Sequence, residues 1–238
     1  MSDAFRNAVI RPIVNRWLAT SDVSWRTLRT PDGPPVARSE GPDPDRVLLT
    51  GAGISMGYGM GSHDVALPGQ LARRVTAITG RGVQVDVVAG ETLTVEDAVA
   101  NLTVKRLREL DLVIATPGTF EKLLLLPVSA WRARIELILD HFAENAPASL
   151  RVQFVAVPEL SHILRMPWPL AVLADRSSRA LNRSLAEACA ARPYAEFVPF
   201  RPTEPVGRGG TGRTYERWAD LLAPRVAAAL EQHARASA

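Results

Sequence analysis

Short apolar runs alternate along the chain with longer stretches in which apolar residues recur every three or four positions. The runs are 47–50 (VLLT), 83–88 (VQVDVV), 111–116 (DLVIAT), 151–157 (RVQFVAV) and 194–199 (YAEFVP). Short runs of this composition read as strands buried on both faces. Between them the period becomes helical. Leu67, Leu71, Val75 and Ile78 fall on one face of a first helix. Thr94-Val95-Glu96-Asp97 opens a second, as a near capping box with Asp97 in place of the usual Glu. Val128, Trp131, Ile135, Leu139 and Phe142 stripe a third over 128–143, a fourth spans about 176–191, and the last runs from about 213 to 235.

Strands alternating with helices predict an α/β fold. The expected form is a three-layer α/β/α sandwich around a doubly wound, five-stranded parallel sheet, flavodoxin-like in layout. Ligands of such sheets sit outside the carboxyl ends of the strands. That rule singles out loops 51–62, 89–93, 117–127, 158–169 and 200–213. Residues 1–45 stand apart as an N-terminal extension before a domain over 46–238. Ala4 to Leu18 predicts a short helix with Val9, Ile13 and Trp17 spaced by four. The following TPDGPPVARSEGPDPD, rich in proline and glycine, reads as loop or tether.

Composition narrows the function. Of 238 residues, 47% are hydrophobic and 22% charged, which is ordinary for a globular chain. Net charge is +3, and the basic residues other than Lys105 and Lys122 are arginines, the usage of a GC-rich bacterial genome. They are dispersed without a basic, aromatic-laced stripe, so no nucleic-acid partner is expected. No apolar run approaches the roughly 20 residues of a membrane span. MSDAFRNAVIRPIVNRW lacks the apolar core of a secretory signal, and a cytoplasmic location is expected. Cys189 is the single cysteine and reads as a small helix residue. No cysteine cluster or HxxxH spacing suggests a metal. Gly51-x-Gly53 follows a strand, but Met56 stands where a dinucleotide fingerprint needs its third glycine, so no cofactor is expected.

The loops carry a resemblance. GAGISMGYGMGSHDVALPGQLA resembles the first block of the SGNH (GDSL) esterase family, where a Gly-Asp-Ser turn precedes Gly-x-Gly and Ser-His. Val88-Ala89-Gly90 resembles its second block, and Thr116-Pro117-Gly118-Thr119-Phe120-Glu121 its Gly-x-Asn-Asp block. Val157-Pro158 and PWPLAVLADRSSRALNRSL are similar to the loop and helix after the fourth parallel strand. Thr214-Tyr215-Glu216-Arg217-Trp218-Ala219-Asp220 is similar to the segment just downstream of the family's Asp-x-x-His. The resemblance covers about residues 46–225.

It implies a set of losses. The nucleophile position is Gly53, with Ala52 beside it; the oxyanion asparagine position is Phe120, with Glu121 beside it; and the Asp-x-x-His pair falls on Val206 and Gly209. Only Gly90 keeps a chemical role, as a backbone donor. Triad hydrolysis needs a nucleophile, a base and oxyanion donors, and glycine and valine supply neither of the first two. The expectation is a degenerate site, a non-hydrolytic pseudoenzyme binding a small molecule, an acyl group or a protein partner. Its pocket would be built on Gly51, Ala52, Gly53, Gly90, Phe120 and Gly209. The alternative is a repurposed biosynthetic enzyme, a lyase, cyclase, unusual esterase or acyltransferase, with Glu121, Glu159 and His162 as acids and bases and Ser55 as a displaced nucleophile. His63 reads as a structural hydrogen-bonder, and His141 and His233 as solvated.

Overall fold

A computed structural model describes residues 5–21, 24–90, 93, 97, 100–159, 161, 168–201 and 211–237. The near capping box at 94–97 falls largely outside them. The strands are β1 (Val36–Ser39), β2 (Asp45–Gly51), β3 (Val83–Ala89), β4 (Leu112–Thr116), β5 (Arg151–Val155) and β6 (Ala195–Val198). They form one six-stranded sheet in the order β1-β3-β2-β4-β5-β6. Strands β2 to β6 are mutually parallel, and β1 pairs antiparallel with β3.

The helices are α1 (Arg11–Thr20), α2 (Leu67–Thr79), α3 (Val104–Leu107), α4 (Thr119–Leu123), α5 (Val128–Asn145), α6 (Trp168–Ala190) and α7 (Thr211–Ser237). The two-residue period of the strands divides the core. Val47, Leu49, Leu112 and Ile114 face one layer with Leu71 and Val75 of α2 and Leu222 and Val226 of α7. Leu48, Val113, Val152 and Phe154 face the other, with Trp131, Ile135 and Leu139 of α5 and Leu181 and Leu185 of α6. This is a three-layer α/β/α sandwich. No helix among the described residues is long and apolar enough to cross a membrane.

Several expectations are corrected. The sheet has six strands, because Val36–Ser39 lies within the stretch read as tether. Its residues carry little strand propensity; the open edge of β3 supplies the template, pairing Val36 with Asp86 and Ser39 with Val83. The first helix begins as a π-turn over Arg6–Ile10, which shifts the face presented by α1. Val9 and Ile13 are therefore exposed, and Leu18 is buried instead. Ile78 and Val128 are exposed at helix ends. Helix α6 starts at Trp168 rather than about 176; in its first turns Trp168, Val172 and Leu173 are exposed and the small Ala171 and Ala174 are buried, so the large apolar residues do not mark the buried face. His141 Nε2 meets the Leu102 carbonyl at 2.7 Å and His233 Nδ1 that of Ser149 at 2.9 Å, so both are half-buried anchors and not solvated side chains.

The segment before β2 is part of this packing: Leu18, Trp25 and Ala37 are buried. Leu18→Ala should therefore cost about 2–5 kcal/mol, as at a core site. Urea unfolding measures this, and a change within about 0.5 kcal/mol would place the segment outside the cooperative unit.

Candidate functional site

The sheet's switch point lies at β2, whose neighbours β3 and β4 are reached by connections running opposite ways. Gly51, the last residue of β2, is in register with Ala89 and Thr116. The chain then turns through a single 3-10 turn, Gly53–Met56. Thr116 holds this turn. Its Oγ1 lies 3.2 Å from the Thr50 carbonyl, 3.1 Å from that of Ala52 and 2.6 Å from Ser55 Oγ. Thr116 has one hydroxyl proton, which goes to the carbonyls, so Ser55 donates to Thr116. Ser55 is fully buried and its proton is held by a neutral hydroxyl, with no base in this arrangement.

Gly53 has φ +67°, which few side chains tolerate. A β-carbon built there would lie 2.5 Å from Thr119 Oγ1. The threonine hydroxyl occupies the volume a serine at 53 would need. The Gly90 N–H donates to the Gly51 carbonyl at 3.1 Å. It therefore serves the sheet instead of facing a ligand.

A pocket opens beside this turn, lined by Trp25, Ala52, Gly53, Ile54, Tyr58, Thr116, Pro117, Thr119, Lys122, Ala156, Pro158, Tyr215 and Trp218. The space open to centres of water-sized molecules is about 50 Å³. That holds about four waters. The walls are largely aromatic and aliphatic. Trp25 and Tyr58 have ring centroids 6.4 Å apart, and Tyr215 and Trp218 meet edge-on at 5.3 Å. The Tyr215 hydroxyl donates to the Tyr58 carbonyl at 3.2 Å, and burial pushes this phenol far above its usual range. Trp218 Nε1 is buried without a hydrogen-bond partner among the described residues.

The structure brings Ala52 and Gly53 into this pocket; Gly51, Gly90, Phe120 and Ser55 are not among its lining residues. Phe120 packs edge-on against Trp25 at 6.5 Å. Glu121 faces α5, where Arg134 lies 3.8 Å away. Glu159 pairs with Arg179 of α6 at 2.9 Å. His162, Val206 and Gly209 lie outside the described residues. The Cys189 thiol is buried, and burial together with Glu136 and Glu196 pushes it up to about 12.

Sequence reasoning missed Lys122. This residue is fully buried, lines the pocket, and donates from Nζ to the Pro158 carbonyl at 2.8 Å. Ser178 donates to the same carbonyl at 3.2 Å. No carboxylate lies within ion-pair distance of the amine among the described residues. Burial lowers its pKa to about 7, against a smaller opposing pull from Asp175 and Glu121. One signal was available: this is one of two lysines in a chain that otherwise uses arginine, and a desolvated amine can shed its charge where a guanidinium cannot.

No protein-family model matches the sequence, and no curated protein is significantly similar to it. Solved structures are similar in fold. The lipase Lip_vut3 from goat rumen metagenome superposes with a TM-score of 0.56 at 15% identity, over 77% of this chain and 97% of its own. An extracellular lipase from Streptomyces rimosus gives 0.53 at 14%, over 77% and 99%. A member of the lipolytic G-D-S-L family from Veillonella parvula DSM 2008 gives 0.51 at 13%, over 74% and 95%. The chain has the α/β/α fold of SGNH (GDSL) hydrolases, as the resemblance in its loops implies.

Two measurements check this geometry. Gly53→Ser should destabilise the protein by about 1–3 kcal/mol through its positive φ and the contact with Thr119. Adding Thr119→Ala should recover at least about 0.5 kcal/mol of that in a double-mutant cycle; strict additivity would mean the two do not compete for space. The Lys122 amine titrates near 7 when folded, below its ordinary 10.5. Between those values the unfolded chain holds the extra proton, so stability rises with pH. From pH 7 to 9 the stability of the wild type relative to Lys122→Met should climb by up to about 1.4 kcal/mol per unit. A flat difference would mean the amine is not desolvated.

Proposed function

We propose that this SGNH-fold protein binds a small molecule or acyl group and does not hydrolyse esters by the Ser-His-Asp route. The observation that carries the reading is the exchange at Gly53. The nucleophile's place is filled by the Thr119 hydroxyl, while an apolar pocket is kept beside it. Among the described residues, no base is hydrogen-bonded to Thr119. Ser55 spends its proton on Thr116, and Gly90 spends its N–H on Gly51, so neither attack nor oxyanion binding has its usual donor set. A pocket without ionised acid–base groups at the reacting position suits an apolar ligand body held by few polar contacts.

The rival reading, a repurposed enzyme, draws less support. Glu121 and Glu159 face arginines and are not among the pocket's lining residues. An acid or base must reach the proton it moves, to about 3 Å or through one water.

A panel of activated esters and thioesters should show no turnover above buffer, and Ser55→Ala and Thr119→Ala should leave that background unchanged. Losing a triad's nucleophile or base typically costs on the order of a millionfold. Turnover abolished by either substitution would overturn the binding reading in favour of an enzyme with a displaced nucleophile.

A further inference from the structure

The outer face of α6 joins an apolar tip to a basic shank. In the first turns Trp168 is 76% exposed, Val172 51% and Leu173 46%. Exposed apolar residues standing singly are ordinary, as at Val65, Ile78, Leu137 and Leu221. Trp168, Val172 and Leu173 instead stand within two turns of one helix and form a patch. Arg176, Arg179 and Arg183 follow, all exposed. At about 100° per residue, Trp168, Val172 and the three arginines share one face, with Leu173 at its edge. The buried residues Ala171, Ala174, Leu181 and Leu185 lie on the opposite side. Little negative charge faces the arginines. Glu159 pairs with Arg179 at 2.9 Å, Asp175 is buried, and Glu187 lies 3.6 Å from Arg132 of α5. Arg176 and Arg183 make no ion pair among the described residues.

We propose that this face docks the protein on an anionic lipid surface, with Trp168, Val172 and Leu173 dipping into the headgroup–acyl boundary and Arg176, Arg179 and Arg183 meeting lipid phosphates. The proposal goes beyond the binding reading above and does not depend on the pocket having an occupant. A helix that binds a lipid surface needs apolar residues to bury and cations for the headgroups, and this face holds both. Tryptophan favours the boundary itself, where one edge of the ring is apolar and the other wet. Arg176 stands about 12 Å along the helix axis from Trp168. An oblique approach by the first turn therefore sinks the tip while the arginines, reaching along their stems, stay at phosphate level. A nucleic acid would engage the arginines and leave Val172 and Leu173 in water, whereas a lipid surface uses both halves of the face. Helix α6 follows β5, and Ala156 and Pro158 just after that strand line the pocket. The docked tip thus stands at the carboxyl end of the parallel strands, on the side of the sheet where the pocket lies.

The test is flotation of the intact protein with vesicles of phosphatidylcholine containing phosphatidylglycerol, and with vesicles of phosphatidylcholine alone. The protein should float with the anionic vesicles, partition at least tenfold less into the neutral ones, and be released by salt on the order of 1 M, where charges are screened within about 3 Å. Each arginine near an anionic surface contributes roughly fivefold, so Arg176→Gln with Arg183→Gln should lower partition at least tenfold. Trp168→Ser with Leu173→Ser should lower it at least about fivefold through lost apolar burial. Ile78→Ser, an exposed apolar site at the far end of α2, should leave it unchanged. All these side chains are exposed, so circular dichroism and the thermal midpoint should not move. Absence of binding to anionic vesicles, equal binding to neutral ones, or full binding by either double variant would overturn the proposal. So would a dimer in sedimentation that Trp168→Ser dissociates, or retention of duplex DNA in place of vesicles, since each assigns the face to another partner.

Discussion

The hydroxyl of Thr116 fixes the geometry on which the site depends. It closes the end of β4 onto the end of β2, reaching two main-chain carbonyls and the Ser55 hydroxyl at once. The Thr116 carbonyl then receives the Ala52 N–H at 3.1 Å. Two strand ends and a 3-10 turn are thereby locked at the point where the sheet's connections diverge. Every contact is buried, where a hydrogen bond is strong and an unmade one expensive. The turn keeps its shape without a reactive side chain on it, because its fold never depended on one.

Lys122 sits at the opposite extreme. A fully buried amine whose hydrogen bond among the described residues goes to a neutral carbonyl works against folding, and burial lowers its affinity for protons. A methionine would fill similar space without the penalty. Packing uses the long stem, and the nitrogen at its tip ties α4 to the Pro158 carbonyl after β5.

The parallel strands were legible because burial on both faces writes continuous apolar runs, as in Leu112–Thr116, which is buried throughout. The loops at the strand ends followed from that. Strand β1 was not legible, since its pairing is imposed by the edge of β3 and not by its own residues. Nor were the first turns of α6, where Trp168, Val172 and Leu173 are exposed and the small Ala171 and Ala174 are buried instead. At the site, the sequence located the turn at Gly51-Ala52-Gly53 and the neighbouring loops. It gave no means of knowing that Thr119 fills the space beside Gly53, or that the Gly90 N–H is engaged, because both depend on distances between loops far apart in the chain. The pocket's aromatic wall was hidden for the same reason: Trp25, Tyr58 and Trp218 are separated by most of the chain's length.

Among the described lining residues, Trp25 alone comes from the segment ahead of β2. That segment is held by the burial of Leu18, Trp25 and Ala37, by the edge pairing of β1, and by main-chain bonds between Asp32 and Gly61 and between Gly59 and Arg29. Segments attached this way open locally more readily than a central strand. One aromatic wall of the pocket therefore stands on a part of the chain outside the parallel strands.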